Sequence, residues 1–223
     1  MDSLVEPSLR LPVIAGAAIL LGYLLGAIPI GLLVGRWMRG VDIRQYGSRR
    51  IGATNVLRTL GTGAAAIVFI ADLAKGGLAV LVARSLLIEL PEPREWIAAA
   101  AGVAAVIGHT RSAFIGFAGG RGVATSLGAL IALLPLAALV VAPLVAVIMW
   151  RWRFVSLGSI AGAAAVPLIV AALMALRLGG AMAAHLAYAA AAGGLVIAAH
   201  ADNIARLRAG TERKIGERER IDA

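Results

Sequence analysis

Apolar residues in this chain fall into long runs separated by short polar segments. The runs are Leu11–Gly35, Ala64–Ala83, Trp96 to about Gly116, Val123–Trp150, Phe154–Leu176 and Ala181–Ala199. A bilayer-crossing helix needs roughly 20 apolar residues, so the pattern predicts an all-α, polytopic membrane protein. Leu11–Gly35 is longer than the apolar core of a cleaved signal peptide and lacks a basic start, so it is expected to remain as the first span. Pro29 inside it predicts a kink whose freed backbone groups are satisfied by neighbouring helices. Val123–Trp150 is 28 residues long and interrupted by Pro135 and Pro143. A single crossing there would place the tail, with Arg206, Arg208, Arg213, Lys214, Arg218 and Arg220, on the same side as the acidic N-terminus (Asp2, Glu6). That conflicts with the cytoplasmic bias of basic loops. Two short helices of about 12 and 15 residues, hinged near Pro135, remove the conflict and give seven transmembrane helices, two of them short.

The polar segments between the runs carry the rest of the information. Arg39–Gly63 holds Arg39, Arg44, Arg49, Arg50 and Arg58 against a lone Asp42, which places it in the cytoplasm and the N-terminus outside. Arg84–Glu95 reads as a turn-rich outer connector. Trp37, Trp96, Trp150 and Trp152 fall at predicted span ends, as interfacial aromatics do. Composition agrees: 61% of the 223 residues are hydrophobic, 15% are charged, and mean hydropathy is +0.90, leaving a single membrane domain over residues 1–223. The net charge of +9 is concentrated in short inter-helix stretches. Membrane lipids and phosphorylated substrates are the expected partners, and nucleic acid is not. Without cysteine there is no thiol chemistry, disulfide or Cys-based metal site.

One segment combines features that a headgroup-touching basic loop does not need. Gly47–Arg58, GSRRIGATNVLR, sets two glycines, two hydroxyl residues, an asparagine and three arginines within twelve positions. Glycine lets backbone amides approach an anion, and Ser48, Thr54, Asn55 and Arg58 are candidate donors to a phosphate. A second glycine-rich loop, GFAGGRGVAT, opens into a helix, so the amides of Gly119 and Gly120 and the cation of Arg121 are expected to converge on one phosphate. It lacks the lysine and hydroxyl pair of a nucleotide-binding P-loop. His200 and Asn203, three apart at the inner end of the last span, point the same way. Together with Arg151–Ser159 these make four polar clusters on one membrane face. Asp72 and Lys75 share a face of the second span and are expected to pair as a buried brace for the site. His109, near the inner end of the third span, reads as a hydrogen-bonding group within the bundle.

In chain order, GAIPIGLLVG, VDIRQYGSRRIGATNVLRTLG, DLAKG, IGH, GGRGVAT, RFVSLGSI and HADNIARL resemble the bacterial acyl-phosphate:glycerol-3-phosphate acyltransferases over nearly the whole chain. The resemblance implies a seven-helix enzyme that moves a fatty acyl group from acyl phosphate to glycerol 3-phosphate. The products would be lysophosphatidate and phosphate, in the first step of phospholipid synthesis at the cell inner membrane. It implies that Ser48, Arg58 and Arg121 hold the two substrates, that His200 and Asn203 support catalysis, and that neither metal nor coenzyme A is needed. The chain departs from the family at Arg49 and Arg50, where glycine and asparagine are usual, at Arg121, where lysine is usual, and at Thr110–Ser112.

Elementary chemistry points the same way. Acyl phosphate carries a good leaving group, so an enzyme has only to hold two anions together and aim a hydroxyl at a carbonyl. An acyl-CoA-dependent transferase would place aspartate five residues after a histidine, where this chain has Phe114, Ala190 and Ala205. Metal-dependent phosphatidyl transfer would cluster aspartates, whereas Asp2, Asp42, Asp72, Asp202 and Asp222 are scattered. The alternative of another class is a non-catalytic binder or carrier of anionic lipid or phosphate, which would bind both anions without turnover.

Overall fold

The computed structural model describes residues 7–89 and 91–217. Asp2, Glu6, Arg218, Arg220 and Asp222, which entered the charge and aspartate arguments, lie outside the described residues. Prolines fix two of the breaks between helices. Pro29 has no amide to continue a helix, and α1 (Pro7–Ala27) gives way there to α2 (Ile30–Arg39). The short α3 (Ala53–Thr59) follows, then α4 (Thr62–Leu86) and α5 (Pro91–Thr110). Pro135 sits at the first position of α7 (Pro135–Trp152), directly after α6 (Val123–Leu133), so the 28-residue apolar run breaks where its sequence predicts. α8 (Val155–Ala175), α9 (Ala183–Ala199) and α10 (Ala201–Arg208) complete the chain.

The expected outer connector Arg84–Glu95 needs correction. Both flanking helices extend into it, α4 to Leu86 and α5 back to Pro91. Pro91 and Pro93 looked like turn residues, but proline is tolerated in a first helical turn, where amides have no intrahelical partner. Among the described residues, four helices are long and apolar enough to cross a membrane, counting Arg10–Arg39 as one. A fifth qualifies if α9 and α10, bent by 59°, form one span. Seven spans also count α5, whose ends carry Arg94, Glu95 and His109, and the 11-residue α6.

α4 is the central element and packs against α1, α5 and α6. Its crossing with α6 is tight, because a Cβ at either Gly76 or Gly128 would overlap the backbone carbonyl of Thr125 or Leu73 respectively. That contact seats the first turn of α6 beside Asp72. Tyr188 on α9 donates to the Ser126 carbonyl at 2.7 Å and ties the second half of the bundle to α6. One core lies among α4–α9, around Val80, Val106, Leu130, Leu134 and Tyr188. A second, smaller core of Leu32, Ile43, Ile51, Val56 and Val68 underlies the first polar loop. Burying side chains such as Ile43, Ile51 and Val56 contributes about 1.5–3 kcal/mol each, and here it fixes the loop to α2 and α4.

Candidate active site

The first polar loop is shaped by Asn55. Its side chain is 2% exposed. Its Nδ2 donates to the carbonyls of Ile43, Tyr46 and Arg50 at 3.1, 3.2 and 2.8 Å, and its Oδ1 accepts from the Ser48 amide at 2.8 Å. Asn55 was expected as a donor to substrate; its amide is instead committed to the loop, which it holds in one shape. Ser48 lines the cavity, and its hydroxyl makes no hydrogen bond among the described residues. Arg58, on α3, donates to the Arg213 carbonyl at 3.4 Å, and burial is the main cause lowering its pKa. Thr54 lines the cavity on the same helix.

The second glycine-rich loop also departs from expectation. The Gly120 amide donates to the His109 carbonyl at 3.0 Å, and a Cβ on Gly120 would overlap the His109 ring. Gly119 packs as closely on the backbone of His109 and Thr110. Both glycines are therefore needed for the loop to lie on the end of α5, and neither lines the cavity. Arg121, Gly122, Val123 and Ala124 do. Arg121 pairs with Asp202 on α10 at 2.8 Å, while its buried Nε has no partner. Burial lowers the Arg121 pKa and Asp202 acts against that shift. Arg206 shares Asp202 at 3.2 Å.

Below this lies the expected buried brace. Lys75 and Asp72 pair at 2.9 Å, and Lys75 Nζ also donates to the Ile28 carbonyl at 3.1 Å, next to the Pro29 break. His109 Nδ1 stands 3.4 Å from Asp72 Oδ1. Asp72 and His109 both reach the cavity wall.

The C-terminal segment closes the site. At the α9–α10 bend, His200 Nδ1 lies 2.7 Å from the Val196 carbonyl. A carbonyl only accepts, so Nδ1 carries the proton and the neutral ring presents Nε2 as an acceptor. Asn203 Nδ2 donates to Glu212 Oε1 at 2.7 Å, which leaves its buried Oδ1 unpartnered. The same Oε1 accepts from Ser156 Oγ at 2.8 Å, and Glu212 Oε2 takes Arg206 Nε at 2.7 Å. Burial pushes the Glu212 pKa up, but the hydrogen bonds from Asn203, Ser156 and Arg206 outweigh it and leave the carboxyl below its usual value. Glu212 was missed by sequence reasoning. Its stretch after α10, AGTERKIGERERIDA, alternates acids and bases, so nothing in the sequence sets Glu212 apart from Glu217 or Glu219.

These parts enclose a cavity of about 230 Å³. Of the residues expected at the site, Ser48, Thr54, Asn55, Arg58, Arg121, His200 and Asn203 line it, together with Ser156 and Ser159; Gly119 and Gly120 do not. All four polar clusters thus contribute to one space. Its surroundings include cationic guanidinium groups, the hydroxyls of Ser48 and Thr54, which make no hydrogen bond among the described residues, and two acceptors, a set suited to phosphate groups and hydroxyl donors. Among the described residues no group of His, Asp and Glu side chains is arranged to hold a metal ion.

Residues 16–210 match the sequence model of a family described as glycerol-3-phosphate acyltransferase. Among curated relatives, a glycerol-3-phosphate acyltransferase of Synechococcus elongatus is 44% identical over 205 residues, covering 91% of this chain and 95% of that one. Glycerol-3-phosphate acyltransferase 1 of Deinococcus radiodurans is 48% identical over 201 residues, covering 90% and 96%. Among solved structures, the integral membrane glycerol 3-phosphate acyltransferase PlsY (YgiH) in its glycerol 3-phosphate form superposes with a TM-score of 0.80 at 35% identity, covering 91% of this chain and 96% of that one. Its lysophosphatidic acid form gives a TM-score of 0.78.

Proposed function

The chain belongs to the glycerol-3-phosphate acyltransferase family, and on that premise we propose that it transfers a fatty acyl group from acyl phosphate to glycerol 3-phosphate, releasing lysophosphatidate and inorganic phosphate. The observation that carries the reading is one cavity lined by Arg58 and Arg121, by two acceptors, His200 and the unpartnered Asn203 Oδ1, and by Ser48. The guanidinium groups suit the two phosphates, and the acceptors suit the hydroxyls of glycerol.

The reaction is one displacement. The terminal glycerol hydroxyl oxygen bonds to the acyl carbonyl carbon, and the bond from that carbon to the bridging phosphate oxygen breaks. The electron pair leaves with phosphate, which takes up the hydroxyl proton. His200 Nε2 and Asn203 Oδ1 accept hydrogen bonds from the glycerol and orient it. Ser48 Oγ and Arg121 stabilise charge developing on the departing group, and Glu212 holds Asn203 in its productive rotamer through a 2.7 Å bond. No acyl-enzyme is required, because the donor is already activated.

The polar loops gather at the end of the bundle that also carries Arg36, Arg39, Arg44, Arg151, Arg153 and Lys214. This supports a cytoplasmic site and C-terminus with the N-terminus outside. Purified protein in detergent, given glycerol 3-phosphate and either acyl phosphate or an acyl thioester, tests the donor directly. Lysophosphatidate should form, with equimolar phosphate, from acyl phosphate alone. Turnover from the thioester would reject the donor assignment, and binding of both anions without product would make the protein a carrier.

A further inference from the structure

We propose that Arg50 is a specificity-determining residue, forming with Arg121 a two-guanidinium clamp for a phosphate monoester; this rests on the acyl-transfer reading above. Arg50 lines the cavity and is partly buried. Its backbone is fixed, because its own carbonyl takes the Asn55 amide at 2.8 Å. Its guanidinium, by contrast, is uncommitted: among the described residues no carboxylate or carbonyl engages it. The other two cavity arginines are already occupied, Arg58 by the Arg213 carbonyl and Arg121 by Asp202.

Charge balance around the cavity gives this free group its meaning. The acidic residues there have partners, Asp72 in Lys75 and Glu212 in Arg206, and Asp202 is divided between Arg121 and Arg206. Arg50 therefore lines the same cavity as Arg121 without a carboxylate of its own. Its charge is felt at both members of the neighbouring pair: after burial and Asp202, it is the next cause acting on Arg121, and it adds to Arg121 and Arg206 in lowering the Asp202 pKa. Between them Arg50 and Arg121 have only the carboxylate that Arg121 divides with Arg206, which leaves a site that an incoming dianion completes. A phosphate monoester carries about −1.5 to −2 charges at neutral pH and three acceptor oxygens, enough for two arginines at once. Neutral or singly charged ligands would leave the clamp half filled, so Arg50 selects for a phosphate-bearing substrate, and the two KM values tell which one.

The test compares Arg50→Asn, Arg50→Lys and Arg49→Gly with the wild-type protein. Arg49 is exposed and outside the cavity, so it serves as the neighbouring control. Two readouts are used: calorimetric binding of inorganic phosphate with no acyl donor present, and KM for each substrate. Arg50→Asn is expected to weaken phosphate binding about tenfold, with a smaller loss in Arg50→Lys and none in Arg49→Gly. KM should rise by a similar factor, and more than kcat falls. A rise confined to glycerol 3-phosphate assigns the clamp to the acceptor, and a rise confined to acyl phosphate assigns it to the donor's leaving group. If wild-type turnover is present but Arg50→Asn binds phosphate and both substrates as well as wild type, the clamp is wrong while acyl transfer stands. If turnover is absent but Arg50→Asn still loses phosphate binding, the clamp stands and the acyl-transfer reading falls.

Discussion

At Pro29 the carbonyl of Ile28 is taken by Lys75, which pairs with Asp72; at Pro135 the carbonyls of Ala132 and Leu133 are taken by Arg84, which pairs with Glu95. Both cations belong to α4. In each case a proline break leaves backbone acceptors inside the bundle, a cation supplies donors, and a carboxylate neutralises the cation. A histidine then backs each carboxylate at 3.4 Å, His109 behind Asp72 and His185 behind Glu95. The two constructions differ in what adjoins them. The Pro29 cluster forms the floor of the cavity, and around it Ser48 Oγ, Asn203 Oδ1 and the Arg50 guanidinium are uncommitted. The Pro135 cluster lies at the other end of α4, away from those groups. A buried ion pair in this bundle is therefore no mark of chemistry by itself. The mark is uncommitted polar atoms gathered on one cavity.

Breaking the pairs separately tests this contrast. Asp72→Ala leaves Lys75 buried without its partner and should destabilise the protein in detergent by about 3 kcal/mol or more, with loss of turnover per folded molecule. Replacing Asp72 and Lys75 together by apolar residues should recover part of the stability, since the Ile28 carbonyl keeps only the Ile30 amide. An unchanged melting temperature in Asp72→Ala would remove the brace from the account. Glu95→Ala should cost less, about 1–3 kcal/mol, because Arg84 is partly exposed and retains two carbonyl acceptors. Turnover per folded molecule should then stay near wild type. A loss of turnover in Glu95→Ala equal to that in Asp72→Ala would erase the distinction between the two regions.

Glu212→Gln addresses the closing segment through pH. The Glu212 carboxyl has a lower pKa folded than unfolded, so the stability it supplies is complete above the usual carboxylate range and is lost as pH falls through the depressed folded value. Melting curves from neutral to acid pH should show a decline for the wild type that is smaller in Glu212→Gln, and equal declines would contradict the assignment. The smallest effect concerns Arg49, which holds a left-handed backbone at φ 57. Glycine adopts that conformation without the Cβ penalty, so Arg49→Gly should raise stability by up to about 1 kcal/mol in a denaturant or thermal melt. A drop would show that the Arg49 side chain makes a contribution larger than the strain.

Much of the architecture was legible in the sequence because span length, proline position and charge placement act locally. The Pro29 and Pro135 breaks and the Asp72–Lys75 pair follow from one or two turns of chain. The convergence of four polar clusters followed from their common side of the membrane. What was not legible is where each donor points. Asn55 and Gly120 have the right chemistry for an anion, yet packing commits the amide of one to three loop carbonyls and that of the other to His109. Glu212 reaches the site because the chain after α10 folds back on Asn203 and Ser156, which no periodicity announces. In the Arg84–Glu95–His185 cluster, Glu95 meets His185 from 90 positions away, a pairing set by tertiary packing alone.

Ser48→Ala tests the central claim most directly. The Ser48 hydroxyl makes no hydrogen bond among the described residues, while its amide is held by Asn55 at 2.8 Å, so removing the hydroxyl leaves the loop intact. Phosphate release from acyl phosphate in the presence of glycerol 3-phosphate should fall by roughly a hundredfold, with an unchanged melting temperature, if Ser48 stabilises the reacting groups. Wild-type turnover in this variant would contradict the placement of the chemistry in this cavity.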